Sequence, residues 1–193
     1  MDFSLDLVTE SIWLVWLLYW WWSARDAKRP VRVEQPLARF FKYSLPLMVA
    51  VLLLVRPFPS WLDGMFDQRF IPFSPWVVRA GLALTCAGLL FACWARHVLG
   101  RNWSAVVQLK QDHELIEAGP YGYVRHPIYT GLLLAFLGTG MMIGEWRGLL
   151  ALAIVAVSFW RKLRLEERWL GDQFGAAYVD YMQRVKALVP GVL

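Results

Sequence analysis

Five apolar runs, at roughly 7–23, 41–58, 76–98, 128–144 and 146–160, occupy nearly half of this 193-residue chain and leave it few ways to fold in water. With 58% hydrophobic and 18% charged side chains, the sequence is too apolar for an ordinary soluble domain of this size. A bilayer crossing needs roughly 20 apolar residues in a helix, and the first and third runs meet that length directly. The second contains Pro46 and is uninterrupted only from Ser44 to Val55, so it relies on the flanking Phe40, Phe41 and Phe58 to reach across. The last two runs are short and meet at Gly144-Glu145-Trp146-Arg147-Gly148, which reads as a tight polar turn between antiparallel helices rather than as one long helix broken at its glycines. The expected fold is all-α, a polytopic membrane bundle of about five transmembrane helices. One domain, 1–193, is expected, with three anchor spans in 1–98 and a C-terminal cytoplasmic region in 99–193 formed by a loop, a helical hairpin and a final helix.

Lys and Arg are unevenly divided between alternate loops, and membrane orientation follows that bias. Sixteen of the twenty lie in the first loop (Arg25, Lys28, Arg29, Arg32, Arg39, Lys42), the third loop (Arg96, Arg101, Lys110, Arg125) and the tail (Arg161, Lys162, Arg164, Arg168, Arg184, Lys186). Only Arg56, Arg69, Arg79 and Arg147 fall on the other side. This predicts an integral membrane protein with its N-terminus outside and its C-terminus in the cytoplasm. The net charge of +5 does not point to nucleic acid, because the basic residues flank apolar runs, where anionic headgroups are the nearer partner. Asp2 and Asp6 at the N-terminus, with no basic region or small-residue cleavage site, argue against a secretory signal, so the first run is expected to be retained, with Trp20-Trp21-Trp22 as an interfacial belt.

Several chemistries lack support. Cys86 and Cys93 are seven apart in one run, a rise of about 10 Å that no disulfide spans. His97, His113 and His126 are too scattered for a zinc pattern, so no metal is expected. Ser104 and Ser158 lack a nucleophile elbow. Gly138-Thr139-Gly140 and Gly144 lie inside or at the end of an apolar run, where close helix packing explains them better than a nucleotide loop does.

The segment from His113 to Gly131, H-E-L-I-E-A-G-P-Y-G-Y-V-R-H-P-I-Y-T-G, gathers what a small charged ligand needs. It has a turn at Gly119-Pro120, the aromatic faces of Tyr121 and Tyr129, and Arg125-His126-Pro127 at a helix start, where unpaired N–H groups receive anions. Glu166-Glu167 follow the last apolar run. Such a pair ordinarily faces water, and Arg164 and Arg168 could neutralise it, but here the charge bias places it on the same side of the membrane as the 113–131 segment. Lys162 and Glu166, four apart on a continuing helix, share a face.

These strings, V-V-Q at 106–108, H-E-L-I at 113–116, G-P-Y at 119–121, R-H-P-I-Y-T-G at 125–131, E-E-R-W-L at 166–170, F-G-A-A-Y at 174–178 and V-K-A-L-V-P at 185–190, resemble in order and spacing the isoprenylcysteine carboxyl methyltransferase family, one of a wider group of membrane methyltransferases that includes phospholipid N-methyltransferases. The resemblance covers the C-terminal half. It implies a cytoplasm-facing pocket for S-adenosylmethionine, with contacts on Gln108, His113, Glu114, Leu115, Ile116, Tyr121, His126, Pro127, Ile128, Tyr129 and Glu166. The family's substrate-orienting arginine falls nearest Lys162, between Arg161 and Arg164. The acceptor it implies is lipid-linked, entering from the bilayer among membrane lipids.

The residue chemistry is compatible with that expectation. Glu166 can offset the cationic parts of such a cofactor, tyrosine faces attract cations by about 0.5–2 kcal/mol, and the helix start at His126 can receive a carboxylate. Alignment and water exclusion are the protein's main tasks in an in-line methyl transfer. A carboxylate acceptor needs only a cation to aim it, and Lys162, Arg125 and His126 are the candidates for such catalytic positioning. An amine acceptor must first lose a proton, for which His97, His126 and Glu167 are the candidate bases. The resemblance makes carboxyl O-methylation the leading expectation, with phospholipid amine N-methylation close behind as the alternative. A sterol-reductase-like oxidoreductase and a non-catalytic membrane protein are the readings from other classes.

Overall fold

The computed structural model describes residues 3–26, 30–33, 35–55, 64, 68–103, 108–110 and 115–192. Among these residues the chain forms α1 (Phe3–Ser23), β1 (Pro30–Val33), α2 (Pro36–Leu54), α3 (Pro75–Leu99), β2 (Gln108–Lys110), α4 (Pro127–Ile143), α5 (Trp146–Phe174) and α6 (Ala176–Arg184). Prolines open α2, α3 and α4, where a fixed φ suits the first turn and a missing N–H costs nothing. Inside α2, Pro46 follows a π-helical stretch, Phe40–Ser44. Because Pro46 has no N–H to bond back to the carbonyl of Lys42, that oxygen accepts the Ser158 hydroxyl of α5 instead, at 3.3 Å.

The hairpin reading of the last two runs holds. α4 ends at Gly144, whose φ of +67° is left-handed, and a Cβ there would lie 2.6 Å from an Arg69 guanidinium nitrogen. The all-α class holds, and beside the helices β1 and β2 form a small two-stranded antiparallel sheet pairing Pro30 with Lys110, Arg32 with Leu109 and Val33 with Gln108. Segments this short lie below the reach of any hydropathy pattern. Helices Pro36–Leu54 and Pro75–Leu99 are long and apolar enough to cross a membrane, and Pro127–Ile143 is apolar but shorter.

The loops gather at two ends. At the basic end, the sheet joins the first loop to the third, and the backbone N–H groups of Arg125 and His126 bond to the carbonyls of Lys186 at 2.8 Å and Ala187 at 3.0 Å, joining the third loop to the tail. At the opposite end, Phe70 and Ile71 both donate to the carbonyl of Gly144, and Trp146 donates to that of Gln68. The charge bias thus separates loops that the fold also separates.

α3 and α4 meet backbone to backbone. Gly81 faces Gly138 and Gly88 faces Gly131, so a Cβ on Gly81 would lie 2.6 Å from the Gly138 carbonyl and one on Gly131 would lie 2.5 Å from that of Gly88. Glycines seven apart on both helices make this possible, and it is why Gly138 and its neighbours sit inside an apolar run. Between the two pairs, the Thr85 and Thr139 hydroxyls lie 3.4 Å apart, and Trp13 of α1 donates its indole N–H to Thr139 at 3.1 Å. Cys86 and Cys93 are free thiols.

Candidate functional site

A cavity of about 680 Å³ runs along the inner face of α4, bounded by α1, α2, α5 and the turn before α4. Its wall on α4 extends from Ile128 to Ile143, a rise of about 22 Å. At the basic end the lining is polar and aromatic, with Tyr121, Arg125, His126, Tyr129, Lys162 and Glu166. Further in, Trp13, Trp16 and Trp20 of α1 face Leu132, Phe136 and Met142 of α4. Leu14, Leu17, Val51 and Val55 both line the cavity and are exposed at the surface, so it opens sideways between α1 and α2.

The polar end is built on Tyr129. Its ring is sandwiched between His126, at 5.5 Å, and Phe159, at 4.8 Å, and its hydroxyl donates to the Glu166 carboxylate at 2.8 Å. The Lys162 ammonium lies 5.4 Å from the centre of the same ring. Burial pushes the Lys162 pKa down, with Glu166 opposing the shift in part. Burial likewise raises the phenol of Tyr121, which stays protonated.

Glu167 turns away into a buried clamp. Arg125 donates to one Glu167 oxygen through Nε at 2.9 Å and through a terminal nitrogen at 2.5 Å, and its other terminal nitrogen reaches the carbonyls of Met182 and Val185. Desolvation opposes ionisation of Glu167, but His126 and Arg125 outweigh it and hold the carboxyl below the usual range. His126 Nε2 lies 3.4 Å from Glu167 and Nδ1 lies 3.7 Å from Glu166, yet among the described residues Nε2 has no partner in hydrogen-bonding geometry. Thr130 donates to the carbonyl of Leu188 at 2.8 Å, so the start of α4 is bound to the tail on two sides.

Of the residues expected from sequence, the cavity therefore brings together Tyr121, Arg125, His126, Ile128, Tyr129, Lys162 and Glu166. Pro127 is fully buried behind them, Ile116 packs on the main core, and Leu115 turns to the separate cluster of Tyr178, Tyr181 and Val185. The Gln108 backbone is in β2, while His113 and Glu114 lie outside the described residues. His97 is exposed on α3, away from the cavity wall. Arg125, expected as an acceptor-aiming cation, is instead engaged with Glu167 and two backbone carbonyls. Sequence reasoning missed Phe159, which completes the stack on Tyr129, and the tryptophans of α1, which looked like an anchor alone; their spacing of three and four residues was the available signal.

The family model described as phospholipid methyltransferase matches residues 76–177. Protein-S-isoprenylcysteine O-methyltransferase B of Arabidopsis thaliana is 32% identical over 153 residues, 78% of this chain and 74% of that protein. The chain belongs to the isoprenylcysteine carboxyl methyltransferase family. Protein-S-isoprenylcysteine O-methyltransferase of Schizosaccharomyces pombe is 32% identical over 69% of this chain and 55% of its own length. A solved structure of a eukaryotic intramembrane Ras methyltransferase, isoprenylcysteine carboxyl methyltransferase, superposes with a TM-score of 0.52 at 30% identity, covering 61% of this chain and 43% of that one. The chain thus spans about half the length of the fission-yeast relative and less than half of the solved one. The family match covers α3 to the start of α6, and so includes the whole polar end of the cavity.

Proposed function

We propose that this protein is an S-adenosylmethionine-dependent methyltransferase that methylates the carboxylate of an isoprenylcysteine-type, lipid-linked acceptor. One observation carries the reading: one cavity has a carboxylate, a cation and stacked aromatics at one end and, beyond them, a mainly apolar wall about 16 Å long from Leu132 to Ile143. A prenyl chain fits the apolar length, and a charged head fits the polar end. Names of relatives such as the Arabidopsis thaliana enzyme support the same acceptor class.

The residues present fit the cofactor. Glu166, held by Tyr129, offers negative charge to a cationic ligand, and His126 Nε2 is a buried polar atom without a hydrogen-bond partner among the described residues. The first N–H groups of α4 have no intrahelical acceptors and suit a carboxylate. When bound, S-adenosylmethionine supplies a methyl group on a positively charged sulfur. Tyr121, His126, Ile128, Tyr129 and Glu166 would hold it, with Pro127 fixing the helix start, and the family resemblance adds Gln108, His113, Glu114, Leu115 and Ile116 as further candidate contacts. Lys162 would draw the acceptor carboxylate into line, and because that oxygen needs no deprotonation, no base is required. Arg125 positions the site through Glu167 and the tail. Five spans, the basic loops on the cytoplasmic side and one domain over the whole chain complete the proposal.

The description of the matching family favours a second reading, phospholipid amine N-methylation. Purified protein incubated with methyl-labelled S-adenosylmethionine should label a farnesylcysteine analogue and leave phosphatidylethanolamine unlabelled. Label in phosphatidylethanolamine alone would replace the first reading with the second.

A further inference from the structure

A second, shallower groove of about 330 Å³ lies on the outside of the bundle between α2 and α5, separate from the cavity. Its apolar walls are Pro46, Ala153, Ile154 and Val157, and Lys42 and Arg161 stand at one end. The local sequence explains the gap. The π-helical turn ahead of Pro46 widens α2, and Ser158 ties the freed Lys42 carbonyl to α5, which fixes Lys42 opposite the turn of α5 that carries Arg161. Lys42, Arg161 and Val157 are all exposed. Among the described residues no carboxylate pairs with Arg161, and Arg161 points away from the cavity that its neighbour Lys162 lines.

Depth decides what such a groove holds. Trp160 and Phe41, both exposed beside the two cations, mark the level of a membrane interface, and the exposed Met48, Val49 and Leu52 continue α2 into the hydrocarbon. A ligand lying there meets two positive charges at headgroup level and hydrocarbon-like walls below. We infer that this groove binds one anionic phospholipid, its phosphate between Lys42 and Arg161 and an acyl chain along Ala153 and Val157. A zwitterionic lipid brings a compensating cation to the same place and gains less from the pair.

Native mass spectrometry of the detergent-extracted protein, mixed with equal amounts of phosphatidylglycerol and phosphatidylcholine, tests this. One phosphatidylglycerol should be retained with a preference of about tenfold or more, the scale two cations near an interface provide. The double variant Lys42→Gln/Arg161→Gln should lose the preference. Arg164→Gln/Arg168→Gln, which removes the same charge from the same helix outside the groove, should keep it. Val157→Trp, which fills the groove and leaves both charges, should lower retention; it also serves if thermal unfolding shows the charge variant misfolded. Equal retention of the two lipids, equal losses in both double variants, or full retention in folded Val157→Trp would each overturn the inference, whatever the acceptor of methyl transfer proves to be.

Discussion

Arg125 with Glu167 at the basic end and Arg147 with Glu145 at the other are buried ion pairs of the same chemistry and very different reach. Arg147 and Glu145 are two residues apart and meet at 2.6 Å, and Arg147 also donates to the carbonyl of Leu53, tying the hairpin turn to α2. Arg125 reaches Glu167 across 42 residues and the carbonyl of Val185 across 60, so one guanidinium joins the loop before α4, the middle of α5 and the tail. The first pair closes the fold; the second sets the position of the residues that line the cavity. Burying such a pair is not by itself stabilising, since desolvation costs about as much as the attraction returns. What it secures at the basic end is placement.

Removing one partner of either pair strands a buried charge, so Arg125→Ala and Arg147→Ala should each lower stability by about 3–5 kcal/mol, read from the unfolding midpoint in detergent. Their effects on ligand binding should separate: folded Arg147→Ala keeps its affinity for S-adenosylmethionine, whereas Arg125→Ala loses affinity as well. Equal affinities in the two would break the comparison. Glu166→Gln should do the reverse, weakening cofactor binding by about 1–3 kcal/mol in calorimetry with little change in midpoint. Should Glu167→Gln weaken binding as much without destabilising, the roles of the two carboxylates are exchanged.

Acid unfolding sharpens the contrast further. The folded pKa of Glu167 is depressed below the ordinary 4.5, so its stabilising contribution is complete above that value and disappears as pH falls through the depressed one. Stability against pH below about 4.5 should therefore be flatter in Glu167→Gln than in the parent chain. The smallest effect is expected at Lys162. Its depressed pKa places loss of the aiming cation below the ordinary 10.5, so activity should fall at alkaline pH and Lys162→Arg should move that limb upward. An unmoved limb would take Lys162 out of the acceptor's path.

The approach of Glu166 to Tyr129 was legible in outline, because the apolar runs and the charge bias together predicted that acid and aromatics 37 residues apart would converge at one end of the bundle. The hairpin at Gly144 was legible for a local reason, a polar turn between apolar runs. The work of Arg125 was not, since its partners arrive from a tail that returns 60 residues later and offers backbone carbonyls, which leave no mark in side-chain pattern. Adjacent Leu115 and Ile116 share a motif and face different clusters, a distinction set by a turn with no helical or strand period to reveal it. The β1–β2 pairing joins two short segments far apart in the chain, and nothing in either one names the other.

The glycine contacts between α3 and α4 bear on how the site could be reshaped. Helices touching through their backbones have no side chains to trim, so that wall is a fixed rail for whatever lies against Phe136 and Leu132. The indoles of α1 opposite can each be made smaller one at a time. Widening the chamber for a bulkier guest is therefore a matter of editing Trp13, Trp16 and Trp20, with the rail left untouched.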